Sequence, residues 1–143
     1  MKRLLLLFAL LTVGMPAGAA DVQAPSVDDR IDLGLTADER SALLAEMRQM
    51  LASIQGILQG IGEGDRERIA ESARRSGNRM ARATPESLRA KLPQAFRELG
   101  GPTHMMFEEL AVRAETDDMD TLSGATAVIM NQCLACHATF RAR

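Results

Sequence analysis

A chain of 143 residues is one domain's worth of sequence, and a formal charge of −2 with no basic stripe argues against nucleic acid as a partner. Four Phe and no Trp or Tyr leave Leu, Ile, Ala and Met to fill the core. The cysteine count of two excludes a disulfide framework and cannot supply two pairs for a zinc ribbon.

Residues 1–20 have the form of a secretory signal peptide. Met1-Lys2-Arg3 is basic, Leu4 to Val13 is apolar apart from Thr12, and Ala17-Gly18-Ala19-Ala20 offers small residues for cleavage after Ala19 or Ala20. The apolar run is too short for a permanent membrane anchor. Loss of Lys2 and Arg3 with the signal would take the formal charge from −2 to −4. The expected destination is a bacterial periplasm, an oxidising compartment. Residues 21–35 are polar around Pro25 and read as a loose leader. The domain is expected over residues 36–143.

Thr36 and Glu39 form a capping box that opens the first predicted helix. Leu43, Met47, Met50, Ile54, Ile57 and Ile61 follow in alternating steps of four and three, an apolar seam that Leu44, Leu51 and Leu58 widen into a core-facing stripe. The helix should end within Gly60 to Gly64. Asp65 caps a second helix with a thin small-residue face of Ile69, Ala70, Ala73, Gly77, Met80 and Ala81. Its other side carries Arg66, Arg68, Arg74, Arg75, Arg79 and Arg82, read as a solvated face or an electrostatic docking patch for an acidic partner. Thr84-Pro85-Glu86 is a further start signal, opening a short turn through Leu92. Pro93 interrupts, and residues 94–99 form another turn before Gly100-Gly101-Pro102.

Thr103 is expected to cap the third long helix, His104 to about Thr116, with Met106, Phe107, Leu110, Ala111 and Ala114 inward. Asp117 or Asp118 caps the fourth, with Leu122, Ile129, Cys133, Cys136 and Phe140 on its inner stripe. No segment sustains strand alternation. The expected fold is all-α, an antiparallel up-down-up-down four-helix bundle with helices crossing at about 20°.

The chemistry sits near the end of the last helix, in Cys133-Leu134-Ala135-Cys136-His137. A Cys-x-x-Cys-His run reads as a c-type haem attachment site. The three side chains share one side of a single helical turn, so two thiols can tether a porphyrin edge while an imidazole meets its iron. A thioredoxin-type pair would start a helix after a strand. A zinc site would need His104 as a distant fourth ligand, and a disulfide between Cys133 and Cys136 would close a very small, strained loop. Haem is favoured over all three, and a buried porphyrin would supply the large flat apolar body that an aromatic-poor core lacks.

An antiparallel bundle places the end of the last helix beside the start of the first. Met47 is then the leading candidate for the sixth iron position and Met50 the second, since His/Met ligation suits electron transfer. His104 is a further candidate ligand or a neighbour of the haem rim. Arg48 could pair with a propionate. An apolar residue in place of a ligand would leave iron open to small gases.

With Phe140-Arg141 close behind the motif and Asp118-Met119-Asp120-Thr121-Leu122 opening its helix, the chain resembles the class II c-type cytochromes, the cytochrome c′-like group. The resemblance covers the layout of the whole mature chain but only the last helix in motif. It implies a four-helix bundle, often a homodimer, with one haem c on Cys133 and Cys136, and His137 as proximal ligand. It implies a non-enzymatic role, either electron transfer with respiratory or photosynthetic partners or binding of nitric oxide or carbon monoxide. In that family the distal residue lies on the first helix, Leu or Phe in high-spin members and Met in low-spin ones. The chain departs from the pattern at His104-Met105-Met106, where aromatics would be expected.

Overall fold

The computed structural model describes residues 28–143, so the signal-like stretch and the leader up to residue 27 lie outside the described residues. Thr36 and Glu39 close their capping box, each side chain accepting from the other's backbone N–H, and α1 runs Ala37–Glu63. It ends at Gly64, whose φ of 69° is the left-handed turn that glycine takes without strain. Asp65 accepts from the Arg68 N–H and opens α2, Arg66–Arg75.

Two predicted boundaries move. The second helix breaks at Ser76-Gly77 and resumes as α3, Asn78–Ala83. Thr84 does not cap the next turn, α4 (Glu86–Lys91). Its hydroxyl points instead toward the Glu46 carboxylate, 3.5 Å away. The larger correction concerns residues 94–113. The expected stop at Gly100-Gly101-Pro102 is absent, and α5 runs unbroken from Gln94 to Arg113. Pro102 leaves the Glu98 carbonyl without its helical donor. Phe96, Thr103, Phe107 and Leu110 are nonetheless buried along the same helix, and the Thr103 hydroxyl donates to the Leu99 carbonyl at 2.7 Å. Burial of that shared face outweighs the glycine and proline propensities.

Asp118 caps α6, Met119–Thr139, through the Thr121 N–H. The chain then leaves the helix as β2, Phe140–Arg141, which pairs in parallel with β1, Ile31–Asp32. The part of the expected loose leader that is described, residues 28–35, is therefore fastened down. Arg141 reaches Asp28 at 3.3 Å and Asp32 at 3.5 Å, and Arg30 donates to the His137 carbonyl at 3.2 Å. Leu33 is buried beside Phe140 in a cluster with Leu43, Leu88, Leu92 and Phe96.

The fold is all-α apart from this two-residue ladder. Helix α1 packs on α2, α2 on α5, α5 on α6 and α6 back on α1, while α3 rests on α5. Ile54, Ile57, Ile69, Phe107, Leu110, Leu122 and Ile129 form the core between them. The buried face of α1 differs from the expected stripe. Leu51 and Leu58 are 66% and 52% exposed, and the buried side instead includes Ser53, Gly56 and Gly60. A Cβ on Gly60 would stand 2.7 Å from Ile69 Cγ1, and one on Gly56 would overlap the Ser72 hydroxyl. Glycine therefore lets α2 lie close against α1, and the Ser53 and Ser76 hydroxyls bond across the contact at 2.8 Å.

Candidate cofactor cavity

The two apolar clusters meet at Met47, which is half-buried and packs against both. Beside it lies a cavity of about 740 Å³, lined by α1, α5 and α6 together with residues of α3, α4 and their flanks. That volume is in the range of small-molecule and cofactor sites. Helix α1 contributes Leu43, Met47, Met50 and Ile54, helix α5 contributes Phe96, Leu99, Thr103 and His104, and helix α6 contributes Met130, Cys133, Cys136 and His137. All six residues singled out in the sequence, Met47, Arg48, His104, Cys133, Cys136 and His137, line it, as does Met50.

Cys133 and Cys136 sit one helical turn apart on α6, half-buried and with free thiols. Burial pushes both thiols above their ordinary value, and for Cys136 the neighbouring Cys133 adds to the rise. Both are therefore neutral thiols at neutral pH, suited to an apolar partner and not to attack as thiolates. His137, in the next position, is exposed, with its backbone carbonyl held by Arg30.

His104 does something the sequence does not announce. Its Nδ1 lies 2.8 Å from the Ser76 carbonyl oxygen and its Nε2 lies 3.2 Å from Glu46 Oε1. Two acceptors are best met by two N–H donors, so the surroundings favour the protonated ring. Burial alone would lower its pKa, but the bonds to Glu46 and to the Ser76 carbonyl and the Glu46 charge outweigh it, and the value is raised. Both ring nitrogens are thus engaged by Ser76 and Glu46 in this arrangement. The place of His104 within α5 corrects the expectation of a helix start there.

The cations at the cavity differ in how far they are occupied. Arg89 donates to the Thr84 carbonyl at 2.8 Å and Arg97 to the Leu92 carbonyl at 2.5 Å, so each satisfies the end of a preceding turn. Among the described residues neither Arg48 nor Arg82 has an ion-pair partner, and both line the cavity. Of the functional neighbours missed in the sequence, Glu46 left a readable trace. It falls between Leu43 and Met50 at helical spacing, an acid on the inward side of α1. Arg89 and Arg97 left none, and Arg82 was read only as part of the arginine run of the second helix.

Among the described residues, no group of three or more His, Cys, Asp or Glu converges to hold a metal ion, and no helix is long and apolar enough to cross a membrane. Comparison with protein-family models, curated proteins and solved structures gives no match.

Proposed function

We propose that the protein is an exported electron carrier that holds one covalently attached haem c in this cavity, in the manner of the class II c-type cytochromes. The observation that carries the reading is a convergence. Both thiols and the imidazole of one Cys-x-x-Cys-His turn line the same largely apolar cavity of about 740 Å³. The donor set fits as well. Cys133, Cys136 and His137 supply two thiols and an imidazole within one helical turn, the set that a c-type haem would use.

When bound, the haem supplies an iron that cycles between ferrous and ferric. Cys133 and Cys136 would tether the group at two points. His137 would offer its imidazole to the iron, and the bond from Arg30 to its carbonyl steadies the backbone at that position. Met47, on the α1 wall, is the residue assigned to the sixth position, with Met50 next to it in rank. Arg48 is assigned to a propionate; like Arg82 it lines the cavity and has no ion-pair partner among the described residues. The His104–Glu46 pair fastens α5 to α1. Because those two groups are engaged with each other, they are poorly placed for acid–base work, which favours a carrier over a catalyst.

The helix contacts run in a closed ring, and the tight Gly64-Asp65 link turns α2 back along α1. We read them as the up-down-up-down bundle, with α3 and α4 forming the long connection that contributes to the cavity lining. The signal pattern of residues 1–20 supports periplasmic export.

The test is covalent haem. Wild-type protein matured in a periplasm should keep its haem through denaturation and acid–acetone extraction. A Cys133→Ala/Cys136→Ala variant should lose it entirely. Complete extraction of haem from the wild-type chain would overturn the assignment.

A further inference from the structure

Four loosely engaged arginines collect on one face, with Arg75 donating to the Ser72 hydroxyl at 2.8 Å. Of the six arginines along α2 and α3, Arg66 donates to the Ala114 and Asp117 carbonyls at 2.8 and 2.7 Å and pins the α5–α6 connection. Arg68 pairs with Glu63 at 3.1 Å and with Asp65 at 3.5 Å. The remaining four, Arg74, Arg75, Arg79 and Arg82, line an open cleft of about 450 Å³ at the α2–α3 break. Two carboxylates, Glu71 and Glu108, share it, and Glu108 is already bonded to the Asn78 N–H at 3.0 Å. Arg74 reaches Glu115 only at 3.7 Å, and among the described residues Arg79 and Arg82 have no ion pair. Arg82 lines the cofactor cavity too, so the cleft runs into the cavity wall.

We propose that this arginine face is the docking surface for an acidic protein, the redox partner of the electron carrier inferred above, on whose function this step rests. Three observations favour a protein surface over a small anion. All four guanidinium groups belong to exposed residues, so no buried cation forms an enclosed anion site. The array is broad and meets the lining of the large cavity at Arg82. The chain as a whole carries a net charge of −2, so an acidic partner is repelled elsewhere and oriented toward this face. Docking there would bring the partner beside Arg82, which also lines the cavity proposed to hold the haem.

The test uses the full-length haem-loaded protein and polyglutamate as the acidic probe. Binding is followed by calorimetry and by amide chemical shifts at about 0.01 M ionic strength, where the screening length is roughly 30 Å. Polyglutamate should bind, shift the amides of α3 and of the cavity lining near Arg82, and dissociate on adding salt. An Arg74→Glu/Arg79→Glu variant should bind about tenfold more weakly or worse. Arg74→Ala/Arg79→Ala should lie between, and Arg68→Glu, outside the cleft, should bind nearly as wild type. Shifts mapping elsewhere, or equal binding by all variants, would overturn the proposal. So would inorganic phosphate competing at matched charge, which would mark a small-anion site. Haem retention is measured separately. A haem-free chain whose polyglutamate binding still depends on these arginines removes the carrier and leaves the acidic-partner surface, whereas a haem-loaded chain with variant-independent binding removes the surface alone.

Discussion

His104 Nε2 stands 3.2 Å from Glu46 Oε1, so the buried histidine of α5 is tied to α1 at the residue next to Met47. The histidine's folded value lies above its ordinary 6.5. Its contribution to stability is therefore complete below about 6.5 and is lost as pH rises through the elevated folded value. Glu46→Gln keeps the shape and removes the charge. The variant should unfold more easily by about 1–3 kcal/mol at mildly acidic pH, and the gap to wild type should narrow at alkaline pH. Denaturant unfolding across the pH range measures this, and a gap independent of pH would refute the pairing.

With haem bound as proposed, spin state would turn on Met47. If its sulfur ligates ferric iron, the wild-type optical spectrum is low-spin. Met47→Leu should convert it to high-spin and let carbon monoxide bind the reduced protein readily. An unchanged low-spin spectrum would move the ligand to another residue, with Met50→Leu the next variant. A wild-type protein that is already high-spin and takes up carbon monoxide would favour the gas-binding role that the family resemblance also implies.

The α1–α2 contact is built on missing side chains. Gly56→Ala places a Cβ against Ser72 and should destabilise the protein by about 1–3 kcal/mol through overpacking. Ile57→Ala, at a fully buried position, should cost about 2–5 kcal/mol. Leu58→Ala, at an exposed one, should stay within about 0.5 kcal/mol. Thermal unfolding of the three variants ranks the faces of α1, and a large loss at Leu58 would mean that this leucine is covered in solution.

Acid should loosen the terminal ladder before the core. A bond from Arg30 holds the Asp28 carboxyl far below the usual carboxylate range, with bonds and charge from Arg30 and Arg141 adding to it against the opposing effect of burial. A lowered folded value means that the stabilisation is present above the unfolded value of 3.8 and fades as pH falls through the folded one. The Leu33 amide, which donates to the Arg141 carbonyl at 3.0 Å, reports on it. Asp28→Asn should raise its hydrogen exchange at neutral pH, beyond the pH effect seen in α5 amides. No change at Leu33 would show that the ladder holds without Asp28.

The sequence was most legible where local chemistry decides structure. Thr36, Asp65 and Asp118 each have a cap partner within three residues, and each helix starts where its cap predicts. The candidate site was legible for the same reason at Cys133, Cys136 and His137, whose spacing is itself the signal. What escaped depends on distant partners. Gly100, Gly101 and Pro102 read as a break, because nothing local reveals that Phe96 and Thr103 will be buried on one helix. Leu51 and Leu58 read as core because apolar periodicity counts leucines and overlooks Gly56 and Gly60, the residues that α2 approaches. The bonding of His104 was not legible because its two acceptors come from Ser76 and Glu46, on elements far away in sequence.

The ladder between β1 and β2 also bears on the order of assembly. Arg30 meets the His137 carbonyl across 107 positions, so this contact closes one of the longest loops in the fold and has high contact order. Local caps and the α1–α2 hairpin can form while the last residues are still loose. The strap over the end of α6 is then among the last contacts to form, and it needs the final residues of the chain. Once formed, the ladder holds the backbone at His137 and so steadies the turn that carries Cys133 and Cys136.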